Sequence, residues 1–207
     1  MFTWLPEVGY LCLLLALFTC LSVVVNGARL FIYRQRRAAK TLQHASTFVA
    51  FWLTLAWGLS LFYKLAAPWG GHEGSLLFWS LCLALWQIVA ARRWPGTQRR
   101  LRLLTEVFIA LAQVGLLIFI VTTSDPFLRQ FPVPADGRDL NPMLQHPALL
   151  CHPPLLYLGY AGAGFCCALL LAGLFCQTPV KTLAHACSRS LALSWALLSA
   201  GIILGSW

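Results

Sequence analysis

The chain has 207 residues and a formal net charge of +9; 59% of its residues are hydrophobic and only 10% are charged, against about 25% in an ordinary soluble domain. This composition excludes a disordered chain, a disulfide-stapled secreted module and most soluble enzymes. The basic residues cluster between apolar runs, as in membrane proteins whose orientation they fix, so we expect membrane lipid and no nucleic acid as a partner. The composition therefore predicts an all-α, polytopic membrane helix bundle.

Six apolar runs follow one another along the chain, each close to the roughly 20 residues that cross a bilayer. Glu73 lies at the opening of the third run and Glu106 in the first turn of the fourth, where a carboxylate stabilises the N-terminus of a helix through its dipole. The runs predict about six transmembrane helices in one membrane domain over residues 1–207, with spans at about 9–25, 46–65, 75–91, 104–122, 154–176 and 190–206.

The Lys and Arg residues fall mostly on one side of the predicted spans. Twelve of the 15 lie in three connections, at 29–40, 92–102 and 181–189. Because basic loops stay in the cytoplasm, both termini are predicted on the periplasmic side, together with the turn at His72 and the long loop 123–153.

The loop 123–153 contains the best candidates for chemistry. Its prolines restrict the backbone, loops of this length are usually functional or disordered, and its apolar residues favour an ordered segment against the membrane surface. His152 directly precedes Pro153 and Pro154, which places it at the start of the fifth span. The sequence leaves two roles open for His152, a metal ligand or a polar helix cap whose ring bonds the backbone of the loop.

Other polar residues of this side are weaker candidates. His146 lies six residues before His152, but no third ligand is near, which disfavours a dedicated metal site. A nucleophile formed by Cys151 and His152 is also disfavoured, because adjacent residues of an extended segment point apart. The basic residues of the predicted periplasmic side are Lys64, Arg129 and Arg138. They either contact carboxylates of an amphiphilic ligand or pair with the loop residues Asp125, Asp136 or Asp139.

Three stretches carry a family resemblance. They are YKLAAPWGGHEGSLL at 63–77, DGRDLNPMLQ at 136–145 and HPPLLYLGY at 152–160. They resemble signatures of the CcmF/NrfE family of cytochrome c-type biogenesis proteins, which are haem lyases of the membrane. The closing stretch GIILGSW, at 201–207, resembles the segment that leads into the tryptophan-rich motif of that family. The resemblance runs from about residue 46 to the end of the chain.

The resemblance implies a component of a haem lyase in the bacterial cytoplasmic (inner) membrane. Such a component handles haem at the outer face of the membrane for covalent attachment to apocytochrome c. The implied partners are a haem chaperone, apocytochrome c and other cytochrome c maturation subunits. His152 matches the first external histidine of the family and is thereby assigned as an axial ligand of a transient, b-type haem. Arg129, Arg138 and Lys64 become candidate contacts of the haem propionates, and no catalytic residue is assigned.

The chain also departs from the family pattern. Position 146 carries His where the family usually has Asp, and the second span runs almost directly into Tyr63 without the usual longer loop. The tryptophan-rich cradle, the second external histidine and both membrane haem ligands are expected beyond Trp207. We therefore expect an N-terminal portion that does not complete haem attachment alone.

Two alternatives to a haem-lyase component stay open at this point. One is a non-catalytic assembly or scaffold protein of the maturation complex, and the other is an inactive truncated product. The sequence does not distinguish the general CcmF branch from the nitrite-reductase-associated NrfE branch. A permease is disfavoured because no predicted span holds a central charge or a broken helix of the kind that marks a substrate path.

Overall fold

The computed structural model of the protein describes residues 4–33, 36–61, 71–93, 99–129, 131 and 148–206. These residues contain six α-helices and no β-strand. The helices are α1 (Leu5–Tyr33), α2 (Arg36–Leu61), α3 (His72–Arg93), α4 (Arg99–Thr123), α5 (Ala148–Phe175) and α6 (Val180–Gly205). The expected all-α helix bundle is confirmed.

Four helices are long and apolar enough to cross a membrane, within the ranges that the structure describes. They are α1, α4, α5 and α6, and α2 carries a shorter apolar stretch, Thr47–Gly58. The number of crossings and the periplasmic placement of both termini stay predictions.

The helices extend beyond the apolar runs because basic residues continue them. Helix α6 begins at Val180, so Lys181, His185 and Arg189 lie on the helix and not in a linker. Lys and Arg are good helix formers, and their apolar stems pack along a bundle while the charge stays at the membrane edge. Hydropathy alone therefore places the start of α6 too late.

Glu106 lies deeper in its helix than the sequence predicts. Helix α4 begins at Arg99 and has no acidic residue in its first turn. Glu106 is buried, and its Oε1 accepts a hydrogen bond of 3.0 Å from Nε of Arg102. An ion pair one helical turn apart, and not the helix dipole, therefore stabilises this carboxylate. In α3, by contrast, Glu73 does lie in the first turn as predicted.

Contacts between helices fix their relative directions. Phe78 of α3 contacts Tyr157 of α5 and, eight residues further along both helices, Trp86 contacts Phe165, so α3 and α5 run parallel. The starts of α1 and α3 both contact the segment that follows α4, through Glu7 with Arg129 and His72 with Ser124. One end of the bundle therefore carries Glu7, His72, Arg129 and His152, and we call it the His152 end.

Two apolar clusters fill the bundle. The first joins α1 to α4 around the fully buried Leu13, Leu53 and Leu117, and the second joins α3 to α6 around Phe165 and Leu169. Helices α3 and α4 contribute to both clusters and lie at the centre. Burial of the side chains of the second cluster holds α5 and α6 against α3 and α4.

A tight turn connects α5 to α6. The backbone N–H of Thr178 donates to Gly173 O at 2.9 Å, and that of Gln177 donates to Leu174 O at 3.1 Å. This is the Schellman pattern of helix ends, and it places Gln177 in the left-handed region at φ 52°. The turn makes α5 and α6 antiparallel, so the start of α5 meets the end of α6.

Candidate functional site

His152 lies inside α5, four residues after the helix begins at Ala148. The sequence predicted His152 at the start of the helix with the prolines in its first turn, but Pro153 and Pro154 both lie within the helix. The preceding Ala-Leu-Leu stretch favours helix, which explains the earlier start. Since proline has no N–H, the two prolines donate no backbone bond to the carbonyls one turn earlier.

The imidazole of His152 is half-buried and forms a hydrogen bond with the neighbouring helix α6. Its Nδ1 lies 2.7 Å from the carbonyl oxygen of Gly201 in α6. A carbonyl oxygen only accepts, so Nδ1 carries the proton and donates it, and in the neutral ring Nε2 keeps its lone pair. The bonding partner is thus the backbone of another helix and not of the loop. Metal-binding histidines commonly donate their second N–H to a carbonyl in this way.

Glycines allow α5 and α6 to approach until their backbones nearly touch. A Cβ at Gly159 would lie 3.0 Å from the backbone N of Leu198, and a Cβ at Gly201 would lie 3.2 Å from the backbone N of Leu156. Small residues at such crossings are typical of membrane helix pairs. The close approach brings the Gly201 carbonyl within reach of His152.

Gly205 lies directly beside the imidazole. A Cβ at this position would stand 2.5 Å from Nδ1 and 3.0 Å from Nε2 of His152. Both distances are shorter than normal van der Waals contact. The ring therefore occupies space that exists only because residue 205 has no side chain.

Arg129 lies at the same end of the bundle and forms an ion pair with Glu7 of α1. Both side chains are substantially exposed. The segment before Arg129 is anchored by Phe127, whose N–H donates to Asp125 Oδ1 at 2.9 Å and whose ring packs against Gly9. The acidic partner of Arg129 is therefore on the first helix, whereas one of the two alternatives left open by the sequence paired this arginine with aspartates of the loop.

His72 opens α3 and contacts the end of α4. Its Nδ1 lies 3.2 Å from Oγ of Ser124, and its ring meets Phe119 edge-on at a centroid distance of 6.2 Å. These contacts explain His72 as part of the packing between two helix ends.

An aromatic surface lies further along α5 from His152. Tyr157 contacts Phe78 edge-on with ring centroids 6.0 Å apart, and Tyr160 is 52% exposed. Nε1 of Trp79, which packs in the same cluster, is buried without a hydrogen-bond partner among the residues described. The surface thus offers flat apolar area, whereas the Trp79 donor is buried.

Several residues singled out by the sequence lie outside the described ranges. They are Lys64, Arg138, His146, Asp136 and Asp139. Among the residues that are described, no group of three or more His, Cys, Asp or Glu is arranged to hold a metal ion. Within these residues, His152 is a candidate for a single ligand and not part of a ligand cluster.

The sequence reasoning did not identify the two glycines around His152. Gly201 and Gly205 are four residues apart, which is the spacing of a small-residue contact motif in membrane helices. That spacing was the available signal. Its meaning depends on α5 lying against this face of α6, which the chain alone does not reveal.

The fold and the site define a multi-pass helical membrane protein with a candidate histidine ligand at one end of its bundle. Residues 69–207 match the family described as Cytochrome C assembly protein, and the chain belongs to this family. It is 48% identical over 153 residues to the probable cytochrome c-type biogenesis protein NrfE of Escherichia coli (strain K12), covering 74% of this chain and 27% of that protein.

A second relative and a solved structure agree with this membership. The chain is 41% identical over 154 residues to the cytochrome c-type biogenesis protein CcmF of Escherichia coli (strain K12), covering 72% of this chain and 23% of that protein. It also has the fold of the solved Cytochrome c Heme Lyase CcmF, with a TM-score of 0.79 at 19% identity, covering 95% of this chain and 35% of that one. The chain is a multi-pass protein of the bacterial inner membrane.

The chain spans about a quarter of the length of the curated relatives it matches.

Proposed function

We propose that the protein is a component of a cytochrome c haem lyase that holds haem at the periplasmic face for attachment to apocytochrome c. His152 is the proposed axial ligand of the haem iron, through Nε2. The observation that carries the proposal is the 2.7 Å contact between Nδ1 of His152 and Gly201 O, because it leaves Nε2 as the nitrogen with a free lone pair.

The surroundings of His152 fit a haem group. The ring is half-buried at the end of the bundle, and its orientation is set by a carbonyl, as in many metal-binding histidines. The aromatic surface around Tyr157 and the exposed Tyr160, further along α5, suits a flat, mostly apolar ligand. When bound, haem supplies the iron for axial ligation and the vinyl groups that react with cysteine thiols.

The same proposal assigns the haem propionates to Arg129, Arg138 and Lys64. Of these, Arg129 is paired with Glu7. A propionate would therefore displace Glu7 from Arg129 or share the guanidinium with it. An arginine can bind either group in a bidentate manner. The exchange would couple haem loading to the contact between α1 and the segment after α4.

The proposed partners follow from the same chemistry. His152 would supply one ligand to the haem iron, so any further ligand and the rest of the cradle would come from the region corresponding to the remaining length of the relatives, or from a partner subunit. The haem is delivered by a haem chaperone and received by apocytochrome c. The greater similarity to NrfE than to CcmF of the same organism favours the nitrite-reductase cytochrome as the recipient.

Haem titration of the purified chain tests the ligand role. The chain is reconstituted in nanodiscs and titrated with haem in a buffer without imidazole, and nanodiscs without protein serve as the blank because haem partitions into lipid. We expect the spectrum of histidine-ligated haem for the wild-type chain and its loss in His152→Ala. His185→Ala, which removes an exposed histidine of α6, is the matched control. A wild-type chain that binds no more haem than His152→Ala overturns the proposal.

A further inference from the structure

We propose that Gly205 is a positioning residue for His152, acting together with the Gly201 carbonyl to fix both the place and the tautomer of the imidazole. The inference rests on the proposed function, in which Nε2 of His152 binds haem iron. It concerns a different feature, namely how α6 prepares the ring before any ligand arrives.

Space, and not backbone conformation, is the reason for glycine at position 205. Among the described residues no glycine has a positive φ, so the backbone of Gly205 is one that alanine adopts readily. Alanine is also the better helix former. The side chain that alanine would add is what the site does not accommodate, because it would overlap the imidazole.

Two side chains of α5 pack on this face of α6 one turn apart. His152 lies against Gly205, and Leu156 lies against Gly201, where an added Cβ would be 2.8 Å from Cδ2 of Leu156. His152 and Leu156 are four residues apart, as are Gly201 and Gly205, so both pairs share a helix face. The packing of Leu156 on Gly201 fixes the position of α5 along the axis of α6. The space beside Gly205 then fixes the position of the His152 ring.

The hydrogen bond between His152 Nδ1 and Gly201 O depends on the space left by the missing side chain at Gly205. With a Cβ at 205 placed 2.5 Å from Nδ1, the ring would have to move by about 1 Å to regain normal contact distance. Such a shift lengthens the 2.7 Å bond to Gly201 O beyond useful hydrogen-bond geometry. The ring would then be free to place its proton on either nitrogen.

Nuclear magnetic resonance of the ring tests the proposal without any haem. The full chain is labelled with 15N-histidine in detergent micelles, and the His152 signals are assigned by difference with His152→Gln. We expect the wild-type ring to be the Nδ1–H tautomer. In Gly205→Ala we expect a mixture of tautomers. A wild-type ring with its proton on Nε2 overturns the proposal without recourse to any variant.

Haem titration supplies the second readout. We expect Gly205→Ala to bind haem about 10-fold or more weakly, as when other outer partners of metal ligands are removed. Gly173→Ala is the matched control, because its Cβ would lie 2.5 Å from Leu183 on the same helix pair but at its opposite end. Gly164→Ala, with 3.5 Å to Leu83, is the control for helix propensity.

The two readouts separate the possible failures. Equal weakening by Gly205→Ala and Gly173→Ala, or an unchanged tautomer in Gly205→Ala, overturns the positioning role. A different pair of results would overturn only the proposed function. In that case the wild-type ring has a fixed tautomer that Gly205→Ala abolishes, but the wild-type chain binds no more haem than His152→Ala. Gly205 would then remain the residue that orients the ring.

Discussion

The indole Nε1 of Trp86 in α3 donates a 2.8 Å hydrogen bond to the carbonyl oxygen of Leu158 in α5. The indole is 6% exposed and stacks on Phe165 at a centroid distance of 6.0 Å. It fits because Gly162 leaves room, since a Cβ there would lie 2.6 Å from the indole ring. This bond ties the helix that carries His152 to the centre of the bundle.

We expect Trp86→Phe to lower the free energy of unfolding by about 1 kcal/mol, within the range for hydrogen bonds between membrane helices. The phenyl ring retains a stacking surface for Phe165 and loses only the donor and part of the apolar area. Unfolding of the micelle-solubilised chain in denaturant measures the change. Trp195→Phe, at a side chain that is 71% exposed, is the control and should leave stability unchanged within error; equal loss in both variants would contradict the role of the bond.

Arg129 and Glu7 give a second prediction, which separates structure from ligand binding. Because both side chains are exposed, their ion pair contributes at most about 1 kcal/mol to stability, and we expect Glu7→Gln and Arg129→Gln to have equally small effects on unfolding. If Arg129 binds a haem propionate, only Arg129→Gln lowers haem affinity, whereas Glu7→Gln removes a competing carboxylate and does not. Titration of both variants with haem distinguishes them, and identical affinities would remove Arg129 from the proposed set.

The turn between α5 and α6 contains a conformation that most residues avoid. Gln177 has φ 52°, and a non-glycine residue in the left-handed region loses about 1–2 kcal/mol relative to its preferred conformation. We expect Gln177→Gly to raise the free energy of unfolding by up to about 1 kcal/mol, after the greater entropy of glycine in the unfolded chain is subtracted. Gln177→Ala is the control, since alanine has the same restriction and should give no gain in denaturant unfolding.

The sequence was sufficient for the fold class and for one candidate residue. Its charge content and apolar runs predict a membrane helix bundle because the bilayer imposes length and composition on any spanning helix. His152 was identified as a candidate because it precedes two prolines in the stretch at 152–160 that resembles a signature of the CcmF/NrfE family. Helix ends were less predictable, as at Arg99, because basic residues continue a helix that hydropathy ends.

The contacts that define the site were beyond sequence reasoning. Gly201 accepts from a histidine 49 residues earlier, and Glu7 pairs with an arginine 122 residues later. Each contact depends on the direction and spacing of packed helices, which are set by side chains elsewhere in the two apolar clusters. Periodicity and charge describe one helix at a time, so they do not reveal such pairs.

The orientation of the bundle gives the last prediction. Cys151 is exposed beside His152, and the distribution of basic residues predicts that this end of the bundle lies in the periplasm. In a chain whose other cysteines are replaced by serine, we expect a membrane-impermeant maleimide to label Cys151 in intact cells with a permeable outer membrane. The control is Lys181→Cys in a chain without Cys151, because residue 181 is exposed at the opposite end of α6 and should react only after the inner membrane is opened. If position 181 is labelled in intact cells and Cys151 is protected, the orientation of the bundle is the opposite of the predicted one. It would also place His152 in the cytoplasm, on the wrong side of the membrane for the proposed attachment of haem to apocytochrome c.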